Sequence, residues 1–295
     1  MKNDFSEVSR ATGPARVVLP LAIFFVYVLM VFGNIVTTTG SGLACPDWPL
    51  CHGTVNPPKE LAIWIEWGHR LTGAVSGILI LLSAALMWNM AGAALKFIMK
   101  SVVAFIFAAV ALGGLIIIAD APLLDSAARI AVVSSHIIVA TIIFTAMIIA
   151  HRGAFGAEPA ARAGGLDLRR NGLPPLWLFV AVYFQVTLGV LVRYSHSSLA
   201  CPDWPLCQGS LFPPNLMPEV LLHYLHRLTA YAIFLVAAWN LYVSAGRGGP
   251  LLEAAATLGL VTTQAAVGVG IVLTQMFLPL LVLHGAVGFL LLGWT

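Results

Sequence analysis

Four histidines lie inside long apolar stretches of the chain, where a polar residue is expensive and usually marks function. They are His69, His136, His226 and His284. Each follows the predicted start of an apolar helix by seven or eight residues, which places it roughly 10–12 Å below one membrane surface. Two imidazoles at equal depth, on neighbouring helices of one bundle, can face each other across a flat cofactor, and heme iron takes axial histidine ligands. The spacing therefore predicts two histidine pairs that ligate heme iron.

Packing and zinc binding are the two alternatives to heme ligation by these histidines. A single buried histidine is more often a hydrogen-bonded packing residue, but four at matched depth in matched positions disfavour packing alone. Zinc is the weaker metal, because neither pair has an evident third or fourth ligand at that level. Arg70 and Arg227 follow His69 and His226 directly. Each can pair with a heme propionate or extend to the membrane surface, and the sequence favours neither role.

An acidic residue distinguishes one histidine pair from the other. Glu66 precedes His69 by three residues, so both lie on one face of a helix. The matching position before His226 is His223. A carboxyl group beside a metal centre can move protons or stabilise positive charge in a reaction; the alternative is a partly hydrated residue at the helix mouth. The difference predicts one bundle for chemistry and the other for electrons.

An internal repeat relates the two halves of the chain. The segment SGLACPDWPLC at 41–51 returns as SSLACPDWPLC at 197–207, and HRLT at 69–72 returns at 226–229. Two long matches in one register indicate homologous copies. The predicted parts are an N-terminal four-helix bundle (1–152), a polar cytoplasmic linker (153–173) and a C-terminal four-helix bundle (174–295).

Composition indicates a protein that spans a membrane. Of the 295 residues, 60% are hydrophobic and only 9% are charged, whereas soluble domains carry about 25% charged residues. The scattered lysines and arginines form no basic stripe, which argues against a nucleic-acid partner. We expect an all-α polytopic membrane protein of eight transmembrane helices, each near the ~20 residues that span a bilayer. Their predicted ranges are 17–39, 62–88, 97–119, 128–150, 174–195, 219–243, 252–274 and 277–294.

Positive charge in the loops predicts the orientation of these helices. The N-terminus and the loops after the second, fourth and sixth helices hold ten lysines and arginines, and the opposite side holds only Lys59, Arg129 and Arg193. The protein is therefore predicted to lie in the cell membrane with both termini on the cytoplasmic side. The loops that carry the cysteines are predicted to face outward.

The four cysteines fall in the repeated loop motif, as Cys45 with Cys51 and Cys201 with Cys207. The outer side is oxidising, so disulfides persist there, and a turn through Pro-Asp-Trp-Pro can bring each pair within bridging range. Two roles remain open. Each pair is either a structural staple or a redox-active pair that passes electrons to a nearby heme.

The chain resembles the heme A synthase family. The resemblance rests on the eight-helix tandem repeat, the Glu66-x-x-His69-Arg70 motif, the three later helix histidines and the outer cysteine pair. It extends from about residue 17 to the last residue. The family oxidises the C8 methyl group of heme O to the formyl group of heme A, which serves terminal oxidases. The resemblance therefore implies a heme-dependent oxidoreductase.

The resemblance also implies roles for individual residues. His69 and His136 would flank heme O as substrate, and His226 and His284 would ligate heme b. Glu66 would be the catalytic carboxylate. Two reaction routes are open: oxygen is activated on the heme, or electrons are withdrawn and water attacks the resulting cation. A carboxylate suits the second route slightly better. Heme O synthase is the implied upstream partner, and the electron acceptor is not identified by the motif.

Three other functions explain part of this pattern. A di-heme b electron carrier would explain the histidines but not the difference between Glu66 in the first half and His223 in the second. A membrane thiol–disulfide oxidoreductase would use the cysteines, with histidines that only pack, and a heme transporter would release its ligand unmodified.

The second cysteine pair departs from the simpler family pattern, which puts a special role of the first pair in doubt. Gly113 and Gly114 form a small-residue face that can pack helices within one chain or in a homo-oligomer.

Overall fold

The computed structural model describes residues 13–88, 92–118, 127–155, 175–247 and 249–295. Across these ranges the chain is helical, and β-structure is limited to two isolated bridges. No predicted helix end differs from the observed one by more than five residues. The helices are α1 (Gly13–Thr38), α2 (Leu61–Met87), α3 (Ala93–Ile118), α4 (Ala127–Phe155), α5 (Pro175–Tyr194), α6 (Pro218–Arg247), α7 (Leu251–Leu273) and α8 (Leu278–Trp294).

The length and apolar composition of these helices identify a multi-pass membrane protein. Seven of the eight described helices are long and apolar enough to cross a membrane. The eighth, α8, has 17 residues, or about 25 Å at 1.5 Å per residue, against a hydrocarbon core of about 30 Å. A helix satisfies its own backbone hydrogen bonds, which is why such segments are stable in lipid.

Large apolar side chains lie on the outer faces of the helices as well as where the helices pack together. Val17, Ile78, Phe97, Phe107 and Leu252 are all well exposed, and they lie on four different helices. A water-soluble protein rarely exposes contiguous apolar surface of this kind. These faces are the surfaces that lipid would cover.

The chain divides into two compact units, Met1–Ala161 (unit 1) and Arg162–Thr295 (unit 2). Within each unit, every helix contacts the next one in the chain, and the first contacts the fourth. Unit 1 is thus a ring of α1 to α4 and unit 2 a ring of α5 to α8. Of the linker predicted at 153–173, the first three residues belong to α4, and the rest lies outside the described residues.

Two loops carry the cysteine motif. The first cysteine loop, residues 39–60, joins α1 to α2, and the second cysteine loop, residues 195–217, joins α5 to α6. All four cysteines of the chain are paired, so the predicted disulfides are confirmed. The Cα atoms lie 4.8 Å apart for Cys45–Cys51 and 4.5 Å apart for Cys201–Cys207.

Each disulfide is buried against the helix that follows its loop. Cys45 and Cys51 pack on Ile63 and Trp67 of α2 and have no exposed surface. The second bridge packs on α6 in the same way. Exposed or strained disulfides tend to be the labile ones, so burial of both bridges favours the structural role over the redox role.

Candidate functional site

In unit 2 the two helix histidines face each other. The ring centroids of His226, on α6, and His284, on α8, lie 6.5 Å apart, with an angle of 66° between the ring planes. Metal–imidazole bonds are about 2 Å long, as measured for zinc, so two rings that share one metal ion have centroids roughly 6 Å apart. The distance fits two axial imidazoles on one metal ion.

The helices that carry each pair lie diagonally in their unit. The order of contacts places α5 and α7 between α6 and α8, and α1 and α3 between α2 and α4. The prediction that paired histidines come from neighbouring helices was therefore wrong. Helices joined by short loops alternate in direction, so the two that run the same way occupy opposite corners of a four-helix ring. A flat ligand between them would lie in the centre of the unit.

In unit 1, His69 lies on α2 and His136 on α4, the same two positions in the ring of helices that His226 and His284 occupy in unit 2. The Nδ1 atom of His136 lies 2.9 Å from the carbonyl oxygen of Ala109. A neutral imidazole that donates from Nδ1 keeps the lone pair of Nε2 for a metal ion, which is the usual arrangement of metal-ligating histidines. Each of the four histidine residues is of intermediate exposure.

A glycine on the preceding helix lies against every one of these imidazoles. A Cβ atom built on each glycine would come within 3.0–3.4 Å of the Cε1 atom of the histidine, closer than a carbon pair normally packs. We call these four the seat glycines, because only a residue without a side chain lets the ring lie there. They are Gly33, Gly113, Gly189 and Gly268, which contact His69, His136, His226 and His284 respectively.

Sequence reasoning missed the role of the seat glycines although part of the signal was visible. Gly33 and Gly189 occupy matching positions of the repeat, and this match is the visible signal. The small-residue face predicted at Gly113 and Gly114 packs inside unit 1, where Gly113 lies against His136 and Gly114 against the ring of Trp48.

The charged residues around His69 bind the first cysteine loop. Arg70 donates to the carbonyl oxygens of Asp47 (2.5 Å), Cys45 (3.0 Å) and Leu50, and to Oε1 of Glu66 (2.5 Å). The backbone N–H of Cys45 donates to Oε2 of Glu66 at 2.8 Å. Only 3% of Glu66 is exposed. We call Glu66 and Arg70 the loop clamp of unit 1, since together they hold the loop against α2.

Unit 2 has the same clamp with an imidazole in place of the carboxylate. Arg227 donates to the carbonyl oxygens of Asp203 (2.7 Å), Leu206 (2.8 Å) and Cys201 (2.6 Å). Its Nε–H donates to Nε2 of His223 at 3.2 Å. The backbone N–H of Cys201 also lies 3.3 Å from Nδ1 of His223. An imidazole that accepts at either nitrogen cannot be the doubly protonated cation, so His223 is bound as the neutral imidazole. His223 and Arg227 form the loop clamp of unit 2.

A carboxylate inside each cysteine loop supports the clamp. Asp47 accepts hydrogen bonds from the backbone N–H groups of Gly53 (2.8 Å) and His52 (2.6 Å). These bonds, that of Gly53 first, lower the pKa of the Asp47 carboxyl below its usual value. Asp203 is bound in the same way in the second loop, and its pKa is lowered for the same reason. The sequence signal for this loop-binding role is the aspartate that occurs in both copies of the cysteine motif.

Comparison with known proteins identifies the family. The family model COX15-CtaA, described as cytochrome oxidase assembly protein, matches residues 16–295. The chain belongs to the COX15-CtaA family. Relatives of this COX15-CtaA protein include heme A synthases of Bacillus cereus strain G9842 and Bacillus anthracis strain A0248. Each is 30% identical to it over 272 residues, which cover 87% of this chain and 83% of the relative. The resemblance to the heme A synthase family is therefore confirmed.

The donor set of this COX15-CtaA protein fits a heme better than zinc. Among the described residues no three side chains of His, Cys, Asp or Glu are grouped around one point, whereas zinc usually takes three or four protein ligands. Paired imidazoles need only a metal whose other ligands come from a macrocycle. Four of the five N–H groups of each clamp arginine, Arg70 and Arg227, donate to its cysteine loop or to its clamp partner, and a heme propionate could accept from the fifth.

Proposed function

We propose that this protein is a heme A synthase, an oxidoreductase that converts the C8 methyl group of heme O to the formyl group of heme A. The observation that carries the proposal is the facing pair of imidazoles in unit 2, 6.5 Å apart between ring centroids, together with a seat glycine against all four helix histidines. Bound heme would supply the iron chemistry that oxidises an unactivated methyl group. The names of the relatives support the same assignment.

Different residues serve the substrate and the resident cofactor in this proposal. His69 and His136 of unit 1 flank heme O, and His226 and His284 of unit 2 ligate heme b. The two units would be tandem four-helix bundles (1–152 and 174–295, joined by 153–173). The duplicated seat glycines and loop clamps support the two tandem bundles, because each copy has a glycine against each of its helix histidines and an arginine bound to its cysteine loop.

Glu66 is the catalytic carboxylate of the proposal. It lies one helical turn before His69, and its two oxygens accept from Arg70 and from the N–H of Cys45. Both donors fix the direction of the carboxylate, so that its negative charge stays near the substrate and can stabilise positive charge or accept a proton. His223 offers no negative charge in unit 2, which suits a unit that only transfers electrons.

The membrane arrangement is part of the proposal as well. All eight helices span the cell membrane, both termini are cytoplasmic and the cysteine loops face outward, as the distribution of lysine and arginine favours. Heme O synthase supplies the substrate, and a separate acceptor takes the electrons. Gly113 and Gly114 pack within unit 1, so they no longer argue for a homo-oligomer.

Mass analysis of the hemes extracted from purified protein tests the function. Without heme O synthase in the same cells we expect heme b alone; with it, we expect heme O and heme A as well. Recovery of heme b alone under both conditions would indicate an electron carrier. Recovery of unmodified heme O would indicate a transporter, and a heme-free protein whose activity depends on cysteines would indicate a thiol oxidoreductase.

A further inference from the structure

A buried amide lies beside His226 in unit 2. The Nε2 atom of Gln185, on α5, donates to the carbonyl oxygen of His226 at 2.9 Å and lies 3.4 Å from Nε2 of the same residue. Its Oε1 accepts a hydrogen bond from the hydroxyl of Thr229. Because a carbonyl oxygen can only accept, the NH2 end of the amide must face His226. The positive end of the amide dipole is therefore directed at the histidine.

Unit 1 has no amide at the corresponding position. Gln185 precedes its seat glycine by four residues, and the residue four before Gly33 is Leu29. Thr229 corresponds to Thr72 in the repeat, and both hydroxyls lie within hydrogen-bond distance of the carbonyl oxygen four residues earlier, that of Leu225 (2.9 Å) and that of Gly68 (2.7 Å). Only the hydroxyl of Thr229 also contacts a glutamine side chain. The amide network is thus a property of unit 2, although the histidine and the seat glycine occur in both units.

A second glutamine occupies the equivalent position on α7. Gln264 precedes the seat glycine Gly268 by four residues, where unit 1 has Ala109 before Gly113. Within the described part of the chain, its buried Oε1 has no hydrogen-bond partner. Its Nε2 lies at Gly288, where a Cβ would come within 3.0 Å of it. Both helices that provide seat glycines in unit 2 therefore add a polar group that unit 1 replaces with an apolar one.

We propose that Gln185, held by Thr229, is a positioning residue for His226 and raises the reduction potential of the heme b assigned to unit 2; this rests on the proposed function. The amide fixes the backbone and ring of His226 from the side of α5. Hydrogen bonding and oriented dipoles are the means by which a protein tunes a heme. A positive dipole end near the iron disfavours the additional positive charge of the ferric state, so it favours the reduced state.

Redox titration of the full-length protein tests this inference. The protein is purified from cells without heme O synthase, so that heme b is the heme present, and its midpoint potential and the ferric electron paramagnetic resonance spectrum are recorded. Gln185→Leu installs the residue of unit 1 and should lower the midpoint potential and shift the g values. Thr229→Val should shift both in the same direction by less, and Thr229→Ser should restore the wild-type values.

Thr263→Val is the matched control, because Thr263 is exposed on α7 and its hydroxyl donates only to the carbonyl of Gly259 in the same helix. It should leave the potential unchanged. Potentials of Gln185→Leu and Thr229→Val that equal the wild-type value would overturn the inference. If Gln185→Leu does not retain heme, Thr229→Val decides the outcome alone. Absence of heme b from the wild-type protein would instead overturn the proposed function.

Discussion

Units 1 and 2 hold their cysteine loops with an arginine in the same place, yet the residue one turn before it differs. In unit 1, Arg70 is paired with the carboxylate of Glu66, so the loop clamp carries no net charge. In unit 2, Arg227 is paired with the neutral imidazole of His223, and the clamp carries the charge of the arginine. Backbone carbonyl oxygens bind both guanidinium groups. The duplicated scaffold was kept while the charge beside each histidine pair changed.

The residues around the imidazoles also include some that both units share and some that differ between the units. Seat glycines occur in both units, because a close approach of helix and ring depends on geometry alone. The side chains one turn before them are Leu29 and Ala109 in unit 1, and Gln185 and Gln264 in unit 2. The comparison shows which features hold a histidine pair and which features make the two pairs chemically different.

Removing one histidine from each unit should have the largest effect. His226→Ala should leave the purified protein without stably bound heme b, since one axial ligand is lost from the resident site. His69→Ala should retain heme b but form no heme A, because it affects the substrate site. Heme content by pyridine hemochrome assay and heme A by chromatography measure both outcomes. Equal loss of heme b in the two variants would end the assignment of separate roles to the units.

Replacing the differing clamp residues should have the next largest effect. Glu66→Gln keeps an acceptor for the N–H of Cys45 but removes the negative charge, and we expect heme A formation to fall by about 10²–10⁴-fold with heme still bound. The matched variant His223→Gln should lower it by less than about tenfold, since it exchanges one neutral group for another. Heme A formed per mole of protein is the measurement. An unchanged rate in Glu66→Gln would remove that carboxylate from the reaction.

Alanine at the seat glycines should displace the imidazoles. In Gly189→Ala the new Cβ would lie 3.1 Å from Cε1 of His226, so the ring must move and heme b should be retained at reduced occupancy. Gly33→Ala should affect product formation instead, since the same contact holds His69. Gly259→Ala is the control, because nothing lies within 4 Å of a Cβ there. Normal heme b occupancy in Gly189→Ala would show that a glycine at this position is not needed to place the ring of His226.

Lysine in place of either arginine should loosen only the adjacent loop. A lysine cannot donate from a rigid planar fork to several carbonyl oxygens at once, and bonds from a charged donor are worth about 1.5–3 kcal/mol each. We expect Arg70→Lys to speed reduction of Cys45–Cys51 by a phosphine, and Arg227→Lys to speed reduction of the second bridge, each by roughly tenfold. Mass spectrometry of alkylated peptides distinguishes the bridges. Similar acceleration at both bridges in one variant would indicate general unfolding.

Acidification should produce the smallest effect. The pKa of Asp47 is lowered in the folded loop, so its contribution to stability is complete above the ordinary aspartate pKa and is lost as the pH falls through the lowered value. Reduction of Cys45–Cys51 by a phosphine should therefore accelerate below the ordinary value, relative to Asp47→Asn at the same pH. The ratio of the two rates is the measurement. A ratio that does not change with pH would show that the carboxylate does not stabilise the loop.

The sequence alone determined the all-α architecture and the candidate histidines of this protein. An apolar run of about 20 residues can satisfy its backbone in lipid only as a helix, so composition and length were sufficient to locate α1 to α8. The repeat then assigned His69 and His226, and Cys45 and Cys201, to equivalent places. Patterns along one chain record such properties directly, because they depend on neighbouring residues.

Only the tertiary structure decided which side chains meet. The diagonal placement of α2 and α4 follows from the closure of a four-helix ring, which no single helix specifies. Apart from Glu66, the partners of Arg70 lie 20 to 25 residues away in the first cysteine loop. The contact of Gln185 with His226 joins two helices. Such contacts depend on how helices rotate and approach each other in three dimensions, and periodicity within one helix does not contain that information.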